Sequence, residues 1–350
     1  MNFGVLSMTC KKLEITYTVA NLLEQLTRYS TETSKPPNAF RAYARRIKVN
    51  ERSVYKLLNR AYKLGFALGI SINYARLGAA RFLLKFDEEP EKEPRFYAKY
   101  LTLEGSVIYD LYLPVRCQMI LEEEYPDAEI YRVDAEWGAR HALASLGILN
   151  LNLDEPLPRE LRERMEKLYV DQLARGVPRY FFGRHYPFDP EIMALLVYAK
   201  GHIGMESISG LARKLGFNVP KMQRKFYTMW ERRGIMGYTI ERAPYYTTTN
   251  IILSVNGSDP QRTAYAAPVL LGVYSGMLAV HKNRNMGFIW LKIDGIIAAE
   301  LISIIKEYSP NVRIEGYFYL KEANTDYLRN LPELHKECYQ KILERIRSHH

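Results

Sequence analysis

Apolar and polar positions repeat along this chain with two different periods, and the changes of period divide it. From Ala44 to Phe66 (ARRIKVNERSVYKLLNRAYKLGF) apolar residues recur at steps of three and four. The spacing predicts two short helices, the first ending near Ile47, with a tight turn through Val49 and Asn50. The second helix starts at Glu51 and puts Val54, Leu57, Leu58 and Ala61 on one face. Arg52, Ser53, Tyr55, Lys56, Asn59, Arg60 and Lys63 then face outward. Gly65 stops the helix, since glycine takes the left-handed conformation there at little cost.

A similar pattern returns from Leu211 to Tyr238. Here Ile208–Leu215 and Pro220–Arg232 are the two helices, with Pro220 in a first turn that needs no N–H. Met222, Phe226, Met229 and Trp230 form its core stripe. Lys221, Gln223, Arg224, Lys225 and Arg233 are its outward candidates.

After each helical pair the period falls to two. FALGISINYARLGAARFLLKFD predicts a wing strand and a longer strand. Strands follow over 96–114, with a turn near Glu104–Gly105, then a helix over 115–124 and a strand over Ala128–Val133. The second half repeats strand-like stretches at Gly237–Glu241, Asn250–Val255, Gly287–Ile293 and Val312–Leu320, with a helix at Gly295–Tyr308. Two amphipathic helices, Pro158–Arg175 and Asp326–Ile346, complete the reading.

The chain therefore reads as one unit used twice. The predicted class is α+β: a winged helix-turn-helix over 1–86, a ferredoxin-like α+β domain over 87–152, and a linker helix with an aromatic linker over 153–187. A second winged helix-turn-helix covers 188–257, a second ferredoxin-like domain 258–324, and a C-terminal helix 325–350.

Composition changes this picture mainly through charge. The 350 residues carry a net charge of +10, and the bases are not spread evenly. Residues 41–66 hold eight Lys/Arg against one acid, and 211–235 hold seven against one, whereas 95–138 hold four against nine. Positive charge thus sits on the two helical pairs, as polyanion binding requires. Three scattered cysteines, Cys10, Cys117 and Cys338, fit no zinc spacing; their odd number predicts a reducing, cytoplasmic setting without a disulfide framework. No apolar run is long enough for a transmembrane helix, so no membrane partner is expected. No phosphate loop, dinucleotide fingerprint, nucleophile elbow or HExxH is present, so no catalytic residue, cofactor or metal is assigned and the chain is not expected to be an enzyme. Asp110, Asp134 and Glu136 are candidate lining for a small-molecule site.

The first helical pair resembles the winged helix-turn-helix of Lrp/AsnC-type transcription regulators, common in archaea and bacteria. Ala44, Ile47, Val49, Ser53, Val54, Leu58 and Gly65 fall in register with that family's motif. Asn50 stands for its capping serine, Lys48 for its turn glycine and Ala61 for a leucine. The second copy keeps Ala212, Leu215, Gly216 and Asn218, and Gly234–Tyr238 resembles the family's entry into the wing. Gly105–Val115 resembles a strand of its α+β domain.

The resemblance implies a double-stranded DNA-binding regulator, dimerising through its α+β domains and answering to a small-molecule effector. With two units on one chain, a single polypeptide would present two unlike reading helices. Arg52, Lys56, Arg60 and Lys63 would then meet phosphates or guanine edges, and Asn59 adenine. The alternative is an RNA- or ribosome-associated factor gripping rRNA with the same basic faces, with RYFFGRHY (179–186) stacking unpaired bases. A sirohaem-decarboxylase-like enzyme ranks last, because its RRFGA-like signature is missing.

Overall fold

The computed structural model describes residues 22, 23, 26, 44, 45, 50–63, 66–138, 156–177, 185–200, 207–242, 250–255, 259–270, 273–291 and 295–348. Its first half runs α1 (Glu51–Lys63), β1 (Phe66–Asn73), a short turn of helix at Ala75–Leu77, β2 (Ala79–Phe86), β3 (Ala98–Thr102), β4 (Val107–Pro114), α2 (Gln118–Glu124) and β5 (Glu129–Gly138). Helix α3 (Arg159–Arg175) leads to the second half: α4 (Pro190–Ala199), α5 (Ile208–Lys214), α6 (Val219–Glu231), β6 (Ile235–Arg242) and β7 (Asn250–Val255). Then come α7 (Pro260–Ala266), β8 (Val273–His281), β9 (Arg284–Leu291), α8 (Gly295–Tyr308), β10 (Val312–Ala323) and α9 (Thr325–Ser348). The class is α+β, as expected.

The strands form one antiparallel sheet in the order β2-β4-β3-β10-β7-β9-β8-β5-β1-β6, and a further β2–β5 pairing closes eight of them into a ring. Each half contributes four consecutive members. Numbered along its own chain segment, each set is ordered 4-1-3-2: β5-β2-β4-β3 and β10-β7-β9-β8. The halves meet at β3–β10 and β5–β8.

Side-chain alternation shows the two sides of this wall. On β7, Ile251, Leu253 and Val255 belong to one core with α8 residues Ile297, Leu301 and Ile304, while Ile252 belongs to the other. On β9, Ile289 and Leu291 face the same helical layer, and Phe288 and Trp290 point the opposite way. Period-two alternation thus sends one set inside the barrel and the other under the helices. Helix α3 completes the second half's outer layer with the buried Met165 and Tyr169.

The first half has no helix between β2 and β3. In its place runs a loop, over 87–97, whose Glu89 and Glu93 grip the Lys99 ammonium. Its outer face is covered from the far end of the chain by α9, which packs on α2 and β4. Asn324 caps that helix by accepting from the Tyr327 N–H. The Tyr327 hydroxyl then donates to the Tyr112 carbonyl at 3.0 Å and accepts from the Tyr112 N–H at 2.9 Å. It satisfies β4 where the pairing with β3 has run out, since that register stops at Asp110.

Several expectations are corrected. β2 pairs with β4 and β5, and β7 with β9 and β10, so the boundaries drawn at 86/87 and 257/258 each cut through one set of paired strands. Period-two alternation identifies strands but carries no information on which sheet they join. The strand expected as the first wing, β1, makes no local hairpin. It pairs along its length with β6, from Phe66 opposite Arg242 to Ile72 opposite Ile235. Finally, Cys117 and Cys338 form a disulfide, 221 residues apart in sequence and with Cα atoms 6.1 Å apart. Counting cysteines could not anticipate it, because α9 folds back across the whole chain to bring the two together. Among the described residues no helix is long and apolar enough to cross a membrane.

Helix α7 lies so close to the sheet that two glycines make room for it. A Cβ on Gly276 would fall 1.7 Å from the Ala264 carbonyl oxygen, and one on Gly287 2.5 Å from that of Pro260. Both obstacles are backbone, so neither can swing away. Gly276→Ala is expected to lower unfolding free energy by about 2 kcal/mol or more, the upper range of overpacking costs, measured by urea denaturation.

Candidate nucleic-acid interface and a buried charged cluster

Helix α1 owes its orientation to its apolar stripe. Val54, Leu58 and Ala61 are buried, and Leu57 packs against the same core. The opposite face is solvent: Arg52, Lys56, Asn59, Arg60 and Lys63 are exposed, and Ser53 is half-buried. The Asn50 side chain accepts from the Arg52 N–H at 2.9 Å, the cap expected at this position. The preceding turn at 46–49 lies outside the described residues.

The second motif is described in full. Ser207 caps α5 and Asn218 caps α6. Met222, Phe226 and Trp230 are buried, while Met229 is only partly so. The outward candidates differ from those of α1. Lys221 pairs with Glu191, and Lys225 with both Asp189 and Glu191, all from the start of α4. After the cost of burial, those lysines hold the Glu191 carboxyl below its usual range. Gln223 donates to the Ser209 hydroxyl at 2.8 Å, tying α6 to α5. Arg224 is exposed, and Arg233 is half-buried in the tight turn after the helix, at φ 59°.

The two helices flank the β1–β6 ribbon, α1 against β1 and α6 against β6. Burial first, then Tyr55 of α1 and Tyr227 of α6, push the Tyr238 hydroxyl on β6 well up. Both motifs therefore border the same stretch of the ribbon.

Behind them lies a cluster that no sequence motif announced. Arg81, on β2, is 3% exposed and forks onto Asp110 with two bonds of 2.9 Å. Its third contact is Glu136 at 3.1 Å. The same Glu136 oxygen accepts from the Tyr74 hydroxyl at 2.9 Å and from Lys200 at 2.6 Å. Lys200 is the cap residue of α4. The Arg81 guanidinium also lies over the Trp290 ring, 5.3 Å from its centroid, so its surroundings come from both halves. Two cations and two carboxylates balance, which is how buried charge is tolerated.

Of the three acids expected to line a small-molecule site, the fold joins Asp110 and Glu136 through Arg81. It places Asp134 apart, against Arg132 at 2.9 Å. The available signal was Arg81 itself, a cation flanked by apolar residues in the run AARFLLKF. Lys200 gave none, since it ends a helix where lysine is ordinary. The linker 185–188 packs onto the first half, where the His185 ring contacts the Ala75 carbonyl and the Tyr186 N–H donates to the Arg76 carbonyl, while Arg232 at the end of α6 covers the Tyr186 ring. The remainder of RYFFGRHY lies outside the described residues. Among the described residues, no three His, Cys, Asp or Glu side chains are grouped to hold a metal ion.

Compared with protein-family models, curated proteins and solved structures, the chain matches none.

Burial pushes the Glu136 carboxyl up, but Lys200 and then Arg81 outweigh it and bring it to about 2. A carboxyl lowered on folding stabilises the fold above its unfolded value, near 4.5, and loses that contribution as pH falls towards 2. Glu136→Gln leaves Lys200 and Arg81 undercompensated, at a cost of about 3–5 kcal/mol at neutral pH. Urea unfolding across pH should show the gap between wild type and variant closing between pH 4.5 and 2.

Proposed function

We propose that this protein binds double-stranded nucleic acid as a transcription regulator, with α1 as its principal reading helix. The observation that carries this is the face of α1. Four cations and Asn59 are exposed on one side of a helix whose other side is buried in the core. Such a helix offers phosphate contacts for affinity and an amide for base reading.

The scaffold supports the same reading. The 4-1-3-2 strand order of each half is that of a ferredoxin-like unit, and the two units join edge to edge within one chain. On this reading the chain is its own dimer, with two unlike motifs beside one ribbon. A second copy cannot add through β3, β5, β8 or β10, because each already has a neighbour on both sides. On this reading the pairing expected between subunits at these four strands is made within one chain.

The motifs are not equivalent. Lys221 and Lys225 are engaged by Asp189 and Glu191, so part of the positive charge of α6 is already answered within the chain. That imbalance favours a second reading, in which α1 grips an RNA backbone and the rest of the chain meets protein, as in a ribosome-associated factor. Gel shifts on duplex DNA with competitor, run beside co-sedimentation with ribosomal subunits, separate the two. A preferred duplex supports regulation. Sedimentation with subunits and no preferred duplex overturns it.

On the principal reading, the triple variant Arg52→Ala, Lys56→Ala, Arg60→Ala is expected to weaken duplex binding at least tenfold. Its log K against log salt slope should fall by roughly 0.9 for each phosphate no longer neutralised. Lys221→Ala with Lys225→Ala should change the slope by less than the equivalent of a single phosphate. Equal losses from both variants would show that the second helix contributes as much as the first.

A further inference from the structure

The Cys117–Cys338 bond joins the first half to the middle of α9. Its N-terminal portion is held by burial: Tyr327, Leu328 and Leu331 are all under 5% exposed. Beyond Leu334 the hold changes in kind. Glu337 pairs with Arg95, Lys341 with Glu124 and Arg345 with Glu123, all at the surface. Tyr339, Leu343 and Ile346 are exposed, and of the apolar side chains beyond Cys338 only Ile342 packs against the core, half-buried. Surface pairs of this kind contribute little each. The disulfide is therefore the main restraint on the last turns of the helix.

The bond is also reachable. Both cysteines line a cavity of about 240 Å³ between α9, α2 and β4. Cys338 is 8% exposed against 1% for Cys117, so attack is assigned to the Cys338 side of the bond.

We propose that this disulfide is a reducible modification site, and that a dithiol opens it in the folded protein and releases residues 335–348 from the first half. A thiolate of the dithiol attacks Cys338 Sγ, the S–S bond breaks, and Cys117 leaves as a thiolate and takes a proton. The second thiol then attacks the mixed disulfide and frees Cys338, which is protonated in turn. Two electrons and two protons pass to the protein, and the dithiol becomes a disulfide. Release reaches the second motif through His335, whose ring lies 5.0 Å from that of Phe188, next to the Asp189 cap of α4.

The test uses the full-length oxidised protein with dithiothreitol in native buffer, read by thiol alkylation and peptide-level amide exchange. The expected result is two additional alkyl groups, at Cys117 and Cys338, with exchange in 335–348 rising at least tenfold. The strands β2 and β4 should be unchanged. Opening only together with global unfolding in urea overturns the proposal, as does opening without faster exchange in 335–348. Cys338→Ser should exchange quickly in that segment with or without dithiothreitol. If it exchanges as slowly as the oxidised protein, the release is refuted. If it does not accumulate, the titration of the unaltered chain decides.

Discussion

Between β3 and β10, and again between β5 and β8, backbone hydrogen bonds run from one half of the chain to the other. Either half alone would present two open sheet edges, each a template for pairing with other chains. Joining both pairs removes those edges at once. It also makes the halves share one interior, so side chains from each must fill it together. Trp290 and Met277 from the second half reach Arg81 from the first because closure leaves them nowhere else to point.

That shared interior is electrically unusual. An apolar filler at position 81 would avoid the desolvation cost of a guanidinium, and buried ion pairs often add no stability over such a replacement. What the cluster provides is direction. Lys200 ends α4 and reaches Glu136 on β5, while Tyr74 follows β1 and meets the same oxygen. Three segments with separate tasks, the barrel wall, the ribbon and the second helical motif, are brought to one atom. An apolar contact tolerates sliding; this one fixes where the helix ends relative to the wall.

Much of the local structure was legible in the sequence. Helix α8 and strand β7 fall where periodicity puts them, and Asn50 caps the first motif helix in the place where the resemblance puts a capping serine. Such features depend on a few neighbouring residues. What was hidden depends on distant ones. FALGISIN looks the same whether it pairs with its own neighbour or with a strand about 170 residues later. Cys117 and Cys338 become partners only after α9 has crossed the first half. The basic faces of the two motif helices lie between these cases. The bases on α1 could be read as exposed from helical spacing, but Lys221 and Lys225 on α6 are answered by Asp189 and Glu191, which precede them by some 30 residues.

The first half's outer face is finished by residues 325–348 and has no helix of its own between β2 and β3. The first unit is therefore completed only by a helix that follows the whole second half. Until α9 is available, Leu111 and Leu113 on β4 lack the part of their layer that Tyr327 and Leu334 supply in the finished protein. Nascent chains ordinarily fold their leading segments as they appear. Here part of the leading segment's outer layer arrives only after the second half, so the loss of α9 would be felt at β4, near the beginning.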